Sequence, residues 1–191
     1  MQAFAIADPG MAAALLSGRK TQMRVVADSP LASAAPGARL RLREACIAGR
    51  WEAGEIYATS LVKAEFVLFA DGWRQYRDGT GERGRRPTDP DHRWLTAMHM
   101  PPWASRATLV VEQVRQEKLR SIKRSDIRAE GVRPLLLGLL WRWPRPLPGL
   151  HWSGRKAFAR YWDIHHSAPG ERWMDNPMVV VLTFRVERRT G

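Results

Sequence analysis

The sequence predicts a mainly β protein of the α+β class, built as a small β-barrel with short helices at its periphery. Short segments that alternate polar and apolar residues recur along the chain, whereas helical periodicity is confined to a few short stretches. Many short strands with few helices are typical of small barrels. With 191 residues, the chain is expected to form a single domain over residues 1–191.

The N-terminal segment predicts a strand, a short helix and a second strand. Residues 2–7 alternate and predict the first strand. Asp8 suits the N-cap of a helix and Pro9 its first position. Gly18 is suited to end that helix, since glycine adopts the left-handed conformation common at helix ends. Residues 21–26 return to a strand pattern.

The middle of the chain predicts further strands around a polar loop. Leu40 and Leu42 alternate with arginines, which predicts a strand with one buried and one cationic face. Residues 56–70 predict one or two strands. Residues 71–93 are polar and rich in Gly and Arg, and they predict a mobile loop. Residues 107–114 predict a buried strand.

The C-terminal part predicts two helices and a closing strand. The helix within residues 121–132 ends at Gly131. Residues 154–165 predict a second helix, and residues 176–186 the closing strand. The segment 132–153 is rich in Leu, Trp and Pro, and we expect it to pack on the barrel or on a second subunit. The apolar face of the second helix consists of Phe158, Tyr161, Trp162 and His165.

Charge and cysteine content narrow the classes of partner and compartment. The formal net charge is +12, and 26 of the 31 basic residues are arginines. Arginine forks bind phosphate and stack on bases, so a nucleic acid is the expected partner. The alternative is a compositional bias towards arginine that serves only solubility. Cys46 is the only cysteine, which excludes an intrachain disulfide and is typical of the reducing cytoplasm.

Several functional classes are not expected from the sequence. No run of about 18 apolar residues or secretory leader is visible, so neither a membrane partner nor export is expected. The five histidines lack metal-ligand spacing. Nucleophile-elbow and Walker motifs are missing, and Gly79–Gly84 matches a dinucleotide motif in spelling only. We therefore expect no metal and no cofactor.

The segment Gly18–Arg24 is the first candidate site. The predicted helix ends at the glycine, and two cations and a hydroxyl follow at once. In a strand, Lys20 and Arg24 share one face, while Thr21 and Met23 share the other. The pattern is consistent with a phosphate or base site, but taken alone it favours a solvated basic turn.

Two further candidates lie downstream. Trp103 could stack a base, while Ser105 and Arg106 could contact a phosphate. The alternative is that Trp103 closes a barrel end and Arg106 pairs with an acid. Glu130 lies at a helix C-terminus, against the helix dipole. It could serve as a general base or hold a lysine, or it could be an ordinary exposed carboxylate.

Taken together, these segments resemble the ASCH family of the PUA-like superfamily, in particular proteins found in phages and prophages. The matching segments occur in family order and span nearly the whole chain. Residues 71–92 and most of 132–153 fall outside the resemblance, and we expect loop insertions there. The matching segments are residues 15–24, 36–44, 99–114, 121–132, 157–163 and 176–186.

The resemblance implies a PUA-like barrel that binds RNA or a modified nucleoside in a basic cleft. One family branch hydrolyses N4-acetylcytidine with a Lys, a Thr three positions later and a Glu. Lys20 and Glu130 match this set, but the Thr position holds Met23. A thioether cannot act as an activated hydroxyl, and Thr21 is the nearest substitute.

The expected function is therefore RNA binding, with a hydrolase as the alternative. The alternative includes a ribonuclease that would use Lys20, Ser105 and Glu130 around a 2′-hydroxyl. The expected partner is RNA or a modified nucleoside, and a homodimer is also considered. The expected nucleic-acid contacts are Lys20, Arg24, Arg43, Trp103, Ser105 and Arg106.

Overall fold

The computed structural model describes residues 3–52, 55–87, 93–142 and 149–189. Within them the protein is mainly β, as predicted, with three α-helices at the periphery of the sheets. The helices are α1 (Pro9–Leu16), α2 (Arg124–Ala129) and α3 (Gly154–His165). The strands are β1 (Phe4–Ala7), β2 (Gln22–Val26), β3 (Arg39–Glu44), β4 (Cys46–Glu52), β5 (Glu55–Ala58), β6 (Phe66–Phe69), β7 (Trp73–Tyr76), β8 (Gly81–Arg83), β9 (Ala107–Lys118), β10 (Arg133–Leu135), β11 (Leu140–Arg142), β12 (Leu150–His151) and β13 (Met178–Arg188).

The main sheet is curled into a half-barrel with strand order β1-β3-β9-β13-β2. β1 and β3 are parallel, and all other neighbours are antiparallel. The long pair β9–β13 contains an irregularity between Thr183 and Phe184, which adds local twist. β1 and β2 are the two edge strands, and α1 connects them along the chain. The open seam of the half-barrel therefore lies beside α1.

The closing strand β13 is apolar on both faces because it separates two cores. Val180, Leu182 and Phe184 pack inside the half-barrel with residues of β1, β3 and β9. Val179 and Val181 point to the opposite side and pack against α2 and α3. A strand buried on both faces has a continuous apolar sequence instead of an alternating one. This explains the four consecutive buried residues from Val179 to Leu182.

The predicted helix ends are confirmed. Asp8 caps α1, where its Oδ1 accepts a hydrogen bond of 2.8 Å from the amide of Met11. Gly18 adopts a φ of +71° beyond the end of α1, and Gly131 a φ of +99° beyond α2. Both angles strain residues that carry a Cβ. The helix over 154–165 has the predicted bounds. Of the first strand, predicted over residues 2–7, Gln2 lies outside the described residues.

The prediction of a mobile loop over residues 71–93 is wrong for its first half. β7 and β8 form a hairpin at the edge of a second sheet with order β5-β4-β6-β7-β8. The side-chain amide of Gln75 donates hydrogen bonds to the carbonyls of Gly79 and Thr80 and closes the turn. Because the segment is rich in Gly and Arg, it lacks the apolar alternation by which the strands were predicted. Residues 88–92 lie outside the described residues.

Residues 133–151 contribute a small third sheet with order β10-β11-β12. Trp141 is buried between this sheet and α3, where its ring packs on Gly154. The segment thus packs on the rest of the protein, as one of the two predictions for it stated; residues 143–148 lie outside the described residues. Large apolar side chains are nevertheless exposed there, namely Leu136, Leu137, Leu139, Leu150 and Trp152.

Candidate functional site

A cleft of about 590 Å³ occupies the open seam of the half-barrel. The edge strands β1 and β2 form its opposite sides, and α1 and α3 flank it. The volume lies within the range of about 300–1,000 Å³ typical of small-molecule sites. Its principal lining residues are Ile6, Asp8, Met11, Lys20, Met23, Arg24, Glu130, Phe158, Tyr161, Trp162 and His165.

Lys20 and Glu130 form a buried ion pair at this cleft. Lys20 Nζ lies 2.6 Å from Glu130 Oε2 and also donates to the Glu130 carbonyl at 3.1 Å. The two residues are 1% and 2% exposed, respectively. The backbone holds them together, because the amide of Thr21 donates to the carbonyl of Ala129 at 2.8 Å. This bond ties the start of β2 to the end of α2.

Arg24 extends the ion pair into a network. Its Nη1 lies 2.8 Å from Glu130 Oε1, and its Nη2 lies 2.6 Å from Glu117 Oε1 and 3.2 Å from Asp126 Oδ2. Arg115 pairs with Asp126 at 3.0 Å and with Glu117 at 3.3 Å. Three cations and three carboxylates therefore balance in charge. The carboxylates occupy the terminal nitrogens of Arg24, so an anion would have to displace one of them.

Two polar atoms of this network lack a hydrogen-bond partner among the described residues: Gln22 Nε2 and Arg24 Nε. Gln22 Oε1 accepts from Arg115 at 3.3 Å, which directs the side chain towards the network. Buried donors without partners are rare in folded proteins and call for an explanation. Their position next to the Lys20–Glu130 pair makes this part of the molecule the most polar buried region that the structure describes.

Aromatic side chains from α3 also line the cleft, and the Phe158 ring lies 5.9 Å from the Arg24 guanidinium. Phe158, Tyr161 and Trp162 are buried and project from one face of the helix. Burial raises the pKa of Tyr161, and the negative charges of Asp8 and Glu130 raise it further. The phenol therefore stays protonated at neutral pH. The apolar periodicity of the sequence had indicated this face of α3, but not that it lines a cleft.

Two histidines contact these aromatic rings, His165 edge-on and His166 face to face. The His165 ring lies 4.7 Å from that of Tyr161, and the His166 ring lies 3.8 Å from that of Trp162 in a parallel stack. Burial lowers the pKa of His166, so the neutral imidazole dominates near neutral pH. The helix end thus presents two flat rings beside the cleft.

The two residues offered for the hydroxyl position differ in location. Met23 is 8% exposed and lines the cleft beside Lys20 and Arg24. Thr21 is half-buried and is not among the residues that line the cleft in the described part of the chain. Its amide and carbonyl are bonded to Ala129 and Phe184. Of the two, Met23 therefore lines the cleft, and its thioether also packs in the core of the half-barrel.

Ser105 and Arg106 lie away from the cleft, and Arg106 connects β3 of the main sheet with the residue Asp71 that follows β6 of the second sheet. Arg106 is 8% exposed and forms a two-pronged ion pair with Glu44, at 2.8 and 2.6 Å. It also contacts Asp71 at 2.8 Å. Burial raises the pKa of Glu44, an effect that the charge of Arg106 opposes. Ser105 Oγ bonds to the carbonyl of Leu42 at 2.9 Å.

Arg43 and Trp103 also lie outside the cleft. The Arg43 guanidinium stacks on Phe4 at 4.1 Å and donates to the Met98 carbonyl at 3.0 Å. Trp103 packs under the Arg77 guanidinium at 5.0 Å. Of the predicted site residues, the structure thus brings together Lys20, Arg24 and Glu130.

Sequence reasoning missed the rest of the charge network. Arg115 and Glu117 lie two positions apart on β9 and therefore share a face. That alternation was a visible signal, but the partners of these residues come from β2 and α2, which only the fold brings close. Asp126 was hidden in the same way within a helix of six residues.

Neither a metal-binding cluster nor a membrane-spanning helix is found among the described residues. No three His, Cys, Asp or Glu side chains lie together there in a way that would hold a metal ion. None of the helices within the same residues has the length and apolar character of a membrane span.

Comparison with known proteins leaves the family open. No protein-family model matches the sequence, and no curated protein or solved structure matches it. The resemblance to the ASCH family therefore stays a hypothesis that rests on the order of the motifs.

Proposed function

We propose that the protein is an ASCH-type, PUA-like half-barrel that binds RNA and accepts an unpaired base in the cleft between β1 and β2. The observation that carries the proposal is the combination of a buried Lys20–Glu130 pair with aromatic rings in one cleft of about 590 Å³. Proteins read unpaired bases by stacking them on aromatic rings and by hydrogen bonds to their edges.

The chemistry of the cleft favours a base over a phosphate. Arg24 is held by three carboxylates, and the network around it is balanced in charge. A neutral base needs donors and acceptors, and the residues that line the cleft include both types, as Lys20, Glu130 and Tyr161. Its apolar wall, with Met11 and Phe158, suits the flat face of a base. The proposed base site does not include four of the predicted contact residues, because they do not line the cleft: Arg43, Trp103, Ser105 and Arg106.

The overall charge supports a nucleic-acid partner. A net charge of +12 attracts a polyanion over long range, and salt screens that attraction. We expect single-stranded RNA to bind at low salt, and affinity to fall steeply as salt is added. Single-stranded DNA of the same sequence and an RNA duplex serve as competitors. Absence of affinity for any single strand at low salt would refute the proposal.

The alternative function is hydrolysis, and the 2.6 Å contact between Lys20 and Glu130 favours it. Water would cleave the amide of N4-acetylcytidine and release cytidine and acetate. Met23 supplies no hydroxyl for this step, and Ser105 is bonded to Leu42 and Ala107 instead of lining the cleft. Incubation with N4-acetylcytidine and with single-stranded RNA, followed by chromatography, tests both activities. Activity that survives both Lys20→Ala and Glu130→Ala would exclude this site.

The remaining partner and source assignments stay predictions. They are a prophage origin, a cytoplasmic location, a homodimer, and insertions at 71–92 and 132–153.

A further inference from the structure

A second groove, of about 650 Å³, lies at the other end of α1. Its walls are the C-terminal turn of α1, the β7–β8 hairpin and the end of β13. Most of it falls outside the segments that resemble the ASCH family. The groove residues are Ala13, Leu16, Ser17, Asp71, Trp73, Gln75, Gly79, Gly81, Arg83, Arg86, Arg106, Arg188 and Arg189.

Four exposed arginines line this groove: Arg83, Arg86, Arg188 and Arg189. Arg83 and Arg86 have no carboxylate within ion-pair distance among the described residues. The acidic side chain that lines the groove, Asp71, is already paired with the buried Arg106 at 2.8 Å. In contrast to the balanced cleft, the groove therefore carries an uncompensated positive charge.

The fold holds two of these arginines in place. Arg188 donates to the carbonyl of Leu16, at the end of α1. Arg189 donates to the carbonyl of Trp103 at 2.9 Å. Its guanidinium also lies over Gly79, where a Cβ would come within 2.9 Å of Nη2. Ordering these side chains in advance lowers the entropy that binding must overcome.

The groove and the cleft share a wall. Pro9 and Met11, at the start of α1, line the cleft, whereas Leu16 and Ser17, at its end, line the groove. α1 has eight residues and is about 12 Å long, so the two sites lie within the length of one short helix. A single strand several nucleotides long can cover this distance.

We propose that the arginine groove binds the phosphates of the RNA strand that flanks the base in the cleft. This inference rests on the proposed function. The planar guanidinium bonds phosphate oxygens in pairs, which favours arginine at such contacts. Because Gly79 and Gly81 carry no side chain, the Arg189 guanidinium and the Trp73 ring lie directly over the backbone of the hairpin, and Gln75 also lines the groove. The base would thus be selected in one place and the strand held in another.

The test compares Arg83→Gln/Arg86→Gln with a matched control. The control, Arg133→Gln/Arg142→Gln, removes the same charge from two exposed arginines that are cross-strand partners in the third sheet. Binding of a single-stranded RNA of about 12 nucleotides and of free cytidine is measured for each protein. The groove variant should lose about tenfold or more in RNA affinity, with the salt slope smaller by ~0.7 per lost phosphate contact.

Cytidine binding should be unchanged in the groove variant, and the control variant should lose less than about threefold in RNA affinity. RNA affinity equal in the groove and control variants would overturn the inference while leaving the proposed function standing. Competition by poly-glutamate as effective as competition by RNA would also overturn it, because the groove would then take acidic protein. If wild-type protein binds neither RNA nor cytidine, the proposed function fails, and the inference fails with it.

Discussion

Lys20 Nζ and Glu130 Oε2 lie 2.6 Å apart although 110 residues separate them in the sequence, and both side chains are almost fully buried. A buried pair in a cleft wall is an expensive arrangement, because both ions lose their hydration. Glu130 also stands at the C-terminal end of α2, against the helix dipole. The charges of Lys20 and Arg24 compensate for that position.

The first prediction concerns the stability that depends on this pair. Lys20→Met or Glu130→Gln alone leaves a buried partner unmatched and should lower the free energy of unfolding by about 3–5 kcal/mol. The double variant should recover part of that loss, because it leaves no unpaired charge between these two positions. Denaturant unfolding measures all three variants.

The exposed pair of Arg39 and Glu187, also 2.6 Å apart, is the matched control. Arg39→Met should change stability far less, since solvent screens that pair. Additive effects of Lys20→Met and Glu130→Gln would contradict the coupling.

The second prediction concerns pH. Burial alone would raise the pKa of Asp126, but the Lys123 amide and the charges of Arg24 and Arg115 lower it below its ordinary value. The stabilisation is therefore complete above the unfolded aspartate pKa of about 3.9 and is lost as pH falls through the lower folded value. Asp126→Asn should be less stable at pH 6 and should lose less on acidification than wild type.

Unfolding free energies between about pH 6 and pH 2.5 test this linkage. Asp28→Asn, at an exposed loop position, should run parallel to wild type. If the pH dependence of the unfolding free energy is the same in Asp126→Asn as in wild type, Asp126 does not contribute to the loss of stability at low pH.

The third prediction concerns Met23 as the residue that prevents hydrolysis. Met23→Thr puts a hydroxyl in the lining of the cleft that also contains Lys20 and Glu130, whereas Met23→Val has the shape of threonine without its hydroxyl. We expect Met23→Thr to release cytidine from N4-acetylcytidine faster than wild type or Met23→Val. Equal rates in the two variants would show that a hydroxyl there is not used. Thr21→Ala should leave the rate unchanged, because Thr21 lies outside the cleft lining.

The fourth prediction concerns the exposed apolar side chains of the third sheet. Leu137 and Trp152 are 105% and 83% exposed, and exposed apolar patches of this kind mark interfaces. If a second copy covers the patch, light scattering should give a dimer mass that falls to the monomer mass in Leu137→Ser/Trp152→Ser. Val62→Ser, at a position 89% exposed elsewhere in the chain, should not change the mass. A monomeric wild type would contradict the homodimer.

The local parts of the fold were predictable because they depend on short-range rules. The Asp8 cap, the left-handed Gly18 and the alternation of Leu40 and Leu42 are each decided within a few residues. The hairpin of β7 and β8 could not be predicted from the apolar pattern. It is held by hydrogen bonds from the side-chain amide of Gln75 and by the packing of the Trp73 ring on Gly81.

The candidate site was predictable in part. Lys20, Arg24 and Glu130 were identified from motif positions, and the fold brings them together. The carboxylates that surround Arg24 were not identified, because Glu117 and Asp126 belong to distant elements. For the same reason the sequence could not separate Arg106, which is paired with Glu44, from an arginine available to a ligand.

The central claim is that the cleft between β1 and β2 accepts a base of single-stranded RNA. The most direct test is calorimetric titration of single-stranded RNA into three proteins: wild type, Met11→Trp and Ile164→Trp. The Met11→Trp side chain fills the cleft wall without touching the charge network. Ile164→Trp is the control, because this position on α3 is 53% exposed. We expect wild type and Ile164→Trp to bind the RNA saturably at low salt, and Met11→Trp to bind it with an affinity at least about tenfold weaker. Equal affinity in all three proteins, or no binding in wild type, would contradict it.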